Sequence, residues 1–149
     1  MATVVIAPFN PKDEIALSIL LQTCDLSTED IEPEILEHFL TARADNHVVG
    51  AAGLEVHGEA GLLRSVAVDE PHRGLGLGKR LVEAMEEHAK TAGVRELYLL
   101  TTTAEDFFAG MGYRSVPRDQ APAGIAGTEQ FSKLCPSSSA FMVKSLAPG

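Results

Sequence analysis

The densest group of residues suited to chemistry is Arg73-Gly74-Leu75-Gly76-Leu77-Gly78-Lys79-Arg80. A strand pattern precedes it, with Leu62, Val66 and Val68 apolar or β-branched. Asp69 to His72 has turn chemistry, and Pro71 forbids a continued ladder. Behind the turn, Gly78, Leu81, Val82, Met85 and Ala89 recur at helical spacing. A strand, a glycine turn and a helix start bring together backbone N–H groups without helical partners and the positive end of a helix dipole. Glycines let an anion reach that backbone, and Arg73, Lys79 and Arg80 add formal positive charge. The stretch therefore suits a phosphate or pyrophosphate.

Spacing separates the candidate anion loops. A nucleotide P-loop needs glycine five residues before Gly78, where Arg73 stands, and Ser or Thr after Lys79, where Arg80 stands. The dinucleotide fingerprint needs glycine three residues after Gly76, where Lys79 stands. What remains is Arg73-x-x-Gly76-x-Gly78, directly after Val66-Ala67-Val68. This resembles the coenzyme A pyrophosphate motif of the GCN5-related N-acetyltransferases (GNAT).

The whole chain must position that turn. Its 149 residues, 45% apolar and 22% charged, predict one globular domain over 1–149. No apolar run is long enough to cross a bilayer, and the start Met1 to Pro8 lacks a basic signal region, so a cytoplasmic protein without membrane partners is expected. Cys24 and Cys135 make no disulfide framework, and no CxxC or metal-ligand spacing is present. A net charge of −9 argues against a nucleic-acid surface, but it leaves basic peptides open as substrates.

In chain order, Thr3 to Ala7 predicts a strand and Pro11 to Leu21 a helix, with Ile15, Ile19 and the neighbouring leucines as its apolar face. Ser27 or Thr28 is placed to cap a second helix carrying Ile31, Ile35, Leu36 and Phe39. Phe39 to Ala44 and Val48 to His57 read as strands around an Asp45-Asn46 turn. His57 to Gly61 then connects tightly into the strand before the glycine turn. That meander places Glu55 opposite Arg64, an expected cross-strand ion pair. The long helix stops at Ala92-Gly93, and Val94 to Thr103 contains Leu97-Tyr98-Leu99-Leu100, the mark of a strand buried on both faces. Ala104 to Met111 predicts a short helix, Tyr113 to Val116 and Ala140 to Leu146 closing strands, and Pro117 to Pro136 an irregular stretch.

This order is similar to the GNAT fold over nearly the whole chain. The resemblance implies an α/β (α+β) architecture: a mostly antiparallel twisted sheet with a parallel βαβ crossover and about four helices. Ala104 to Tyr113 looks like the family's second signature, an aromatic pair, Phe107-Phe108, before Gly112-Tyr113. Leu63 to Val68, Leu99 to Ala104, Arg118, Ala121-Pro122, Ile125, Thr128, Gln130-Phe131 and Leu134-Cys135-Pro136 resemble an arsenic-resistance-associated (ArsN-like) branch. Some members of that broader group acetylate phosphinothricin or arsinothricin, which are glutamate-like amino acids.

The resemblance implies a transferase that moves acetyl from acetyl-CoA to the primary amine of a small amino-acid-like substrate. Val66 would hold the acetyl carbonyl and Val68 the pantetheine amides, with Ala67 between them. Arg73, Gly74, Leu75, Gly76, Leu77, Gly78 and Lys79 would hold the pyrophosphate, and Thr102, Phe107 and Phe108 would contact the cofactor. Many family members carry a tyrosine at the position of Phe108, so the phenol that would protonate the leaving thiolate is missing. Glu55 is the first candidate base and His57 the second, although pairing with Arg64 would make Glu55 a poorer one. Arg64, Ser65, Arg118, Thr128 and Gln130 are the candidate substrate contacts, since arginine pairs bidentately with carboxylate. Protein lysine or N-terminal acetylation and noncatalytic acetyl-CoA sensing are the alternatives. A homodimer is compatible with the fold.

Overall fold

A computed structural model describes residues 4–24, 26, 28, 31, 33–74, 76–102, 104–128 and 139–146. Among the described residues seven strands lie in the order β1-β2-β3-β4-β5-β7-β6. They are β1 (Val5–Pro8), β2 (Leu40–Ala44), β3 (His47–His57), β4 (Ala60–Val68), β5 (Glu96–Thr101), β6 (Arg114–Ser115) and β7 (Ala140–Ser145). The helices are α1 (Glu14–Thr23), α2 (Pro33–Leu36), α3 (Leu77–Thr91), α4 (Glu105–Ala109) and α5 (Ala123–Ala126). β4 and β5 are parallel, from Ala60↔Glu96 to Leu63↔Leu99, as a βαβ crossover through α3 requires. The pairs β1–β2, β2–β3, β5–β7 and β6–β7 are antiparallel. Contacts group the chain into two compact units, Met1–Leu54 with Ser65–Met85 and Glu55–Arg64 with Glu86–Gly149. β3 and β4 run through both.

In the first unit, Asp45 and Asn46 both have positive φ, 50° and 67°. This is the two-residue turn whose twist matches antiparallel strands, and Ala44 pairs with His47 across it. Leu81, Val82 and Met85 form the fully buried stripe of α3 expected from their spacing. α1 buries only the leucines of its expected apolar face: Leu17, Leu20 and Leu21 are buried, while Ile15 and Ile19 are 76% and 59% exposed. Both sets fit a helical period, but only the leucines, with Cys24, make an unbroken i, i+3, i+4, i+7 stripe. A 3-10 turn at Pro11–Asp13 sets the entry angle, and Asp13 is held by Arg43.

The second helix is one turn, Pro33–Leu36. Pro33 lacks the N–H an upstream turn would need, so it starts the helix rather than continuing one. Ser27 lies outside the described residues. Ile31, Ile35 and Leu36 still pack on the cluster of Leu17, Leu20, Leu21, Phe39, Ala51 and Ala67. Phe39 fits because Gly53 has no side chain: a Cβ there would stand 2.5 Å from the ring's Cζ. Gly53→Ala should therefore lower stability by about 1–3 kcal/mol, read by urea unfolding; an unchanged midpoint would show that Phe39 relocates freely.

In the second unit α3 ends in a Schellman motif. Val94 N–H donates to Ala89 C=O at 2.9 Å, Gly93 N–H donates to Lys90 C=O at 3.1 Å, and Gly93 has φ +89°. β5 is buried on both faces as its sequence suggested, with Leu97, Tyr98 and Leu99 all at most 7% exposed. The stretch after Pro117, expected to be irregular, contains a 3-10 turn (Arg118–Gln120) and α5. One helical turn is too short to show a period. α5 buries Ile125 against Leu62, Tyr98, Phe141 and Val143.

Candidate functional site

The first unit holds the glycine turn. Ser65, in mid-strand, has φ +56°, a left-handed conformation rare outside glycine and one that re-aims a strand at a bulge. Beyond it Ala67 is buried, and Val66 and Val68 are half-buried. The chain then folds back on itself. His72 N–H donates to Asp69 C=O, Arg73 N–H to Glu70 C=O, and the Arg73 Nε–H to Val68 C=O at 2.8 Å. Arg73 also reaches Cys24 Sγ at 3.5 Å. Its guanidinium thus ties the turn to the end of β4.

Gly74 and Gly76 have φ of +80° and +78°, and among the described residues a Cβ on either would meet nothing within 4 Å beyond its chain neighbours. Space therefore lies open beside both left-handed residues. Arg80 N–H donates to Gly76 C=O, so the N–H groups of Leu77, Gly78 and Lys79 belong to the open first turn of the 15-residue α3. Lys79 is exposed, and Arg80 reaches the Val4 carbonyl at 3.3 Å. Open glycines, a long helix start and exposed cations form a cradle that fits a pyrophosphate. Leu75 lies outside the described residues. An open groove of about 300 Å³ in this unit, lined by Asp13, Ile19, Thr23, Asn46, His47 and Asp69 among others, contains none of the expected site residues.

The second unit holds the candidate acid–base and acceptor residues. Arg64 Nη1–H donates to Glu55 Oε2 at 2.8 Å, the expected cross-strand pair, and both side chains are buried. The sequence did not show that His57 also joins, its Nε2 lying 3.3 Å from Glu55 Oε1. Gly124 of α5 packs over His57, where a Cβ would stand 2.8 Å from the His57 Cβ. His57 is therefore a partly exposed member of a polar cluster with Glu55 and Arg64 rather than a loose turn residue. Thr128 is buried and donates to Ile125 C=O at 2.8 Å, which caps α5. Arg118 is half-buried and its Nη2–H donates to Ser139 C=O at 3.5 Å. Gln130 and Cys135 lie outside the described residues.

On α4, Phe107 is 41% exposed and stands edge-on to Phe108, centroids 5.0 Å apart. Phe108 is buried and stands edge-on to Tyr113 at 5.5 Å, so it is a packing residue. Thr102 is exposed just after β5. Tyr113 O–H donates to Glu86 Oε2 at 2.9 Å, and Lys144 Nζ–H donates to Glu86 Oε1 at 3.0 Å. Burial, with the Glu86 charge adding to it, pushes the Tyr113 phenol well above its ordinary range. A phenol raised in the folded state adds stability below its unfolded pKa of about 10 and loses it as pH rises beyond. Tyr113→Phe should cost about 1.5–3 kcal/mol at neutral pH and blunt the alkaline loss of stability, read by urea unfolding at pH 7 and above 10. Equal alkaline loss in both proteins would place the titrating group elsewhere.

Residues 9–113 match the Acetyltransferase (GNAT) family, and the chain belongs to it. The cosubstrate of this family is acetyl-CoA. An amino-acid acetyltransferase of Pseudomonas paraeruginosa is 31% identical over 109 residues, 72% of this chain and 25% of that protein. The chain thus spans about a quarter of the length of that relative. N-acetylglutamate synthase of Neisseria gonorrhoeae, solved with coenzyme A and N-acetyl-glutamate, superposes with a TM-score of 0.85 at 19% identity, over 99% of this chain and 36% of that one. Rv2747 of Mycobacterium tuberculosis, solved with CoA, gives 0.81 at 22% identity over 96% and 99%. These structural likenesses establish the fold. Among the described residues no helix is long and apolar enough to cross a membrane.

Proposed function

We propose that the chain is a cytoplasmic N-acetyltransferase that moves acetyl from acetyl-CoA to the amine of a small amino-acid-like acceptor. The observation that carries this is the open left-handed turn at Gly74 and Gly76, set between β4 and the start of α3. The relative named as an amino-acid acetyltransferase supports the acceptor class, and so does the neighbour solved with N-acetyl-glutamate. A phosphinothricin- or arsinothricin-like acceptor is the finer form of the proposal, resting on the sequence resemblance above. A homodimer is a further proposal, checked by sedimentation velocity.

Acetyl-CoA supplies the thioester carbonyl. The N–H groups of Gly74, Gly76, Leu77, Gly78 and Lys79 hold its pyrophosphate, with Leu75 assigned to the same role and Arg73 bracing the turn. Val66 N–H polarises the acetyl carbonyl and Val68 pairs with the pantetheine amides, with Ala67 anchoring the strand between them. Thr102, Phe107 and Phe108 flank the cofactor. The amine nitrogen attacks the carbonyl carbon, the C–S bond breaks, the amine loses a proton and the thiolate gains one. With phenylalanine at 108 the thiolate, of ordinary pKa about 8.5, leaves without a side-chain acid. Glu55 relays the amine proton through water. Its two oxygens are already engaged by Arg64 and His57, and proximity, worth about 7–11 kcal/mol, supplies most of the acceleration. Arg64, Ser65, Arg118, Thr128 and Gln130 are the proposed acceptor contacts.

The test is free-thiol release from acetyl-CoA with phosphinothricin, arsinothricin, glutamate, other amino acids, polyamines and a lysine peptide. Turnover of an acidic amino acid supports the reading, and turnover of the peptide alone replaces it with protein acetylation. The buried Phe108 favours one second reading, noncatalytic acetyl-CoA sensing. Tight acetyl-CoA binding with no turnover on any amine would establish that instead.

A further inference from the structure

We infer that His57 is the final acceptor of the amine proton, receiving it from Glu55, and that Gly124 seats the imidazole for that transfer. This rests on the acetyltransferase reading, in which Glu55 relays the proton, and names where the proton goes.

Glu55 and His57 stand two residues apart on β3, so their side chains leave the same face of the sheet. The two oxygens of Glu55 are divided between two partners. Oε2 takes the Arg64 Nη1–H at 2.8 Å, and Oε1 faces His57 Nε2 at 3.3 Å. The Glu55 side chain is 9% exposed and that of His57 31%. A proton on Glu55 is thus shielded from water, while a proton on His57 can leave to it. α5 fixes the imidazole. A Cβ on Gly124 would stand 2.8 Å from the His57 Cβ and 3.4 Å from its Cγ, so a side chain at 124 would displace the ring. The next residue, Ile125, is fully buried with Leu62, Tyr98, Phe141 and Val143, which holds α5 in place. α5 itself, Ala123-Gly124-Ile125-Ala126, brings no charged side chain to the imidazole.

An ordinary carboxyl, of pKa about 4.3, is a poor resting place for a proton taken from an amine at about 8–10. An ordinary imidazole, at about 6.5, holds that proton about 100-fold better. The transfer uses the neutral ring with its hydrogen on Nδ1, whose Nε2 lone pair faces Oε1. The amine N–H bond breaks and water carries the proton to Oε1. The Oε1–H bond then breaks as the Nε2–H bond forms, which leaves an imidazolium against a carboxylate. The partly exposed imidazolium loses its Nδ1 proton to solvent, and exchange with water restores the starting tautomer. Glu55 is a carboxylate again, still held by Arg64 on its other oxygen.

The experiment measures kcat/KM for acetyl transfer from acetyl-CoA to L-glutamate by the full chain and its variants, at neutral pH where the amine is charged. His57→Gln and Gly124→Ala should each lower it about 10–100-fold, with acetyl-CoA affinity within a few-fold of the wild type. Glu55→Gln combined with His57→Gln should lose no more than Glu55→Gln alone, because both residues serve one proton path. Imidazole added to His57→Ala should restore activity in proportion to its concentration, and do nothing for the wild type or for Glu55→Gln. A residue that served only packing would show no such rescue. Unchanged kcat/KM in His57→Gln, losses that multiply in the double variant, or no rescue by imidazole overturns the assignment. The wild type and Glu55→Gln keep the two readings apart. If the wild type turns over glutamate and Glu55→Gln is slow, a failure falls on His57 alone. If the wild type does not turn over glutamate, the acidic amino-acid reading fails and this inference fails with it.

Discussion

Gly76→Val should abolish useful acetyl-CoA binding, lowering affinity by at least about 100-fold, while leaving a folded domain. Two physical effects converge. Gly76 sits at φ +78°, where a β-branched residue is strained by about 1–3 kcal/mol. The valine side chain would also project into the open space beside the turn, where, chain neighbours aside, no atom of the described residues lies within 4 Å of a Cβ. Relief of the strain would rotate the turn away from its left-handed geometry and redirect the N–H groups at the start of α3. Each hydrogen bond to a charged group is worth about 1.5–3 kcal/mol, so losing two accounts for two to four powers of ten in affinity. The same open space explains why the fold survives, since a Cβ there meets none of the described residues beyond its chain neighbours. Calorimetry gives the affinity and circular dichroism the folded state. Unchanged affinity in a folded protein would remove the pyrophosphate from this turn.

What was legible in the sequence follows from the range of the interactions involved. The stripe Leu81, Val82, Met85 and Ala89 could be read because helix period and burial agree on one face. The Asp45-Asn46 turn could be read because few residues accept two successive positive φ angles. The Glu55–Arg64 pair could be read because a tight hairpin fixes strand register. The buried face of α1 could not: Ile15, Ile19 and the leucines offer competing stripes, and the choice is made by Phe39 and Ala51, far away in sequence. The left-handed Ser65 carries no local signal, since serine is not a residue that announces positive φ. His57 looked like a turn residue because its role depends on Gly124, 67 positions later, whose missing side chain lets α5 approach. The buried Ser139 hydroxyl, without a hydrogen-bond partner among the described residues, is a fact about burial, which no spacing in the sequence encodes.

The largest effect on stability should come from Arg64→Met, which is expected to cost about 3–5 kcal/mol. The Arg64 side chain is 1% exposed and that of Glu55 9%, with 2.8 Å between their charged atoms. Removing the cation alone strands a carboxylate away from water, and His57, at 3.3 Å and partly exposed, is a weak substitute. The double variant Glu55→Leu with Arg64→Met removes both charges and should recover to within about 1–2 kcal/mol of the wild type. Urea unfolding of the four proteins of the cycle measures this; a double variant as unstable as Arg64→Met would show that the pair itself is net stabilising. Glu55→Gln then separates architecture from chemistry. It keeps the shape and a hydrogen bond to Arg64 but cannot take a proton. If Glu55 relays the amine proton, kcat/KM should fall about 10²–10⁴-fold at a pH where the acceptor amine is charged, and recover as rising pH neutralises the amine. If Glu55 serves only to balance Arg64, kcat/KM should stay within a few-fold at every pH where the variant is folded. Neutral amine would then reach the thioester without help from the protein, and catalysis would rest on proximity alone.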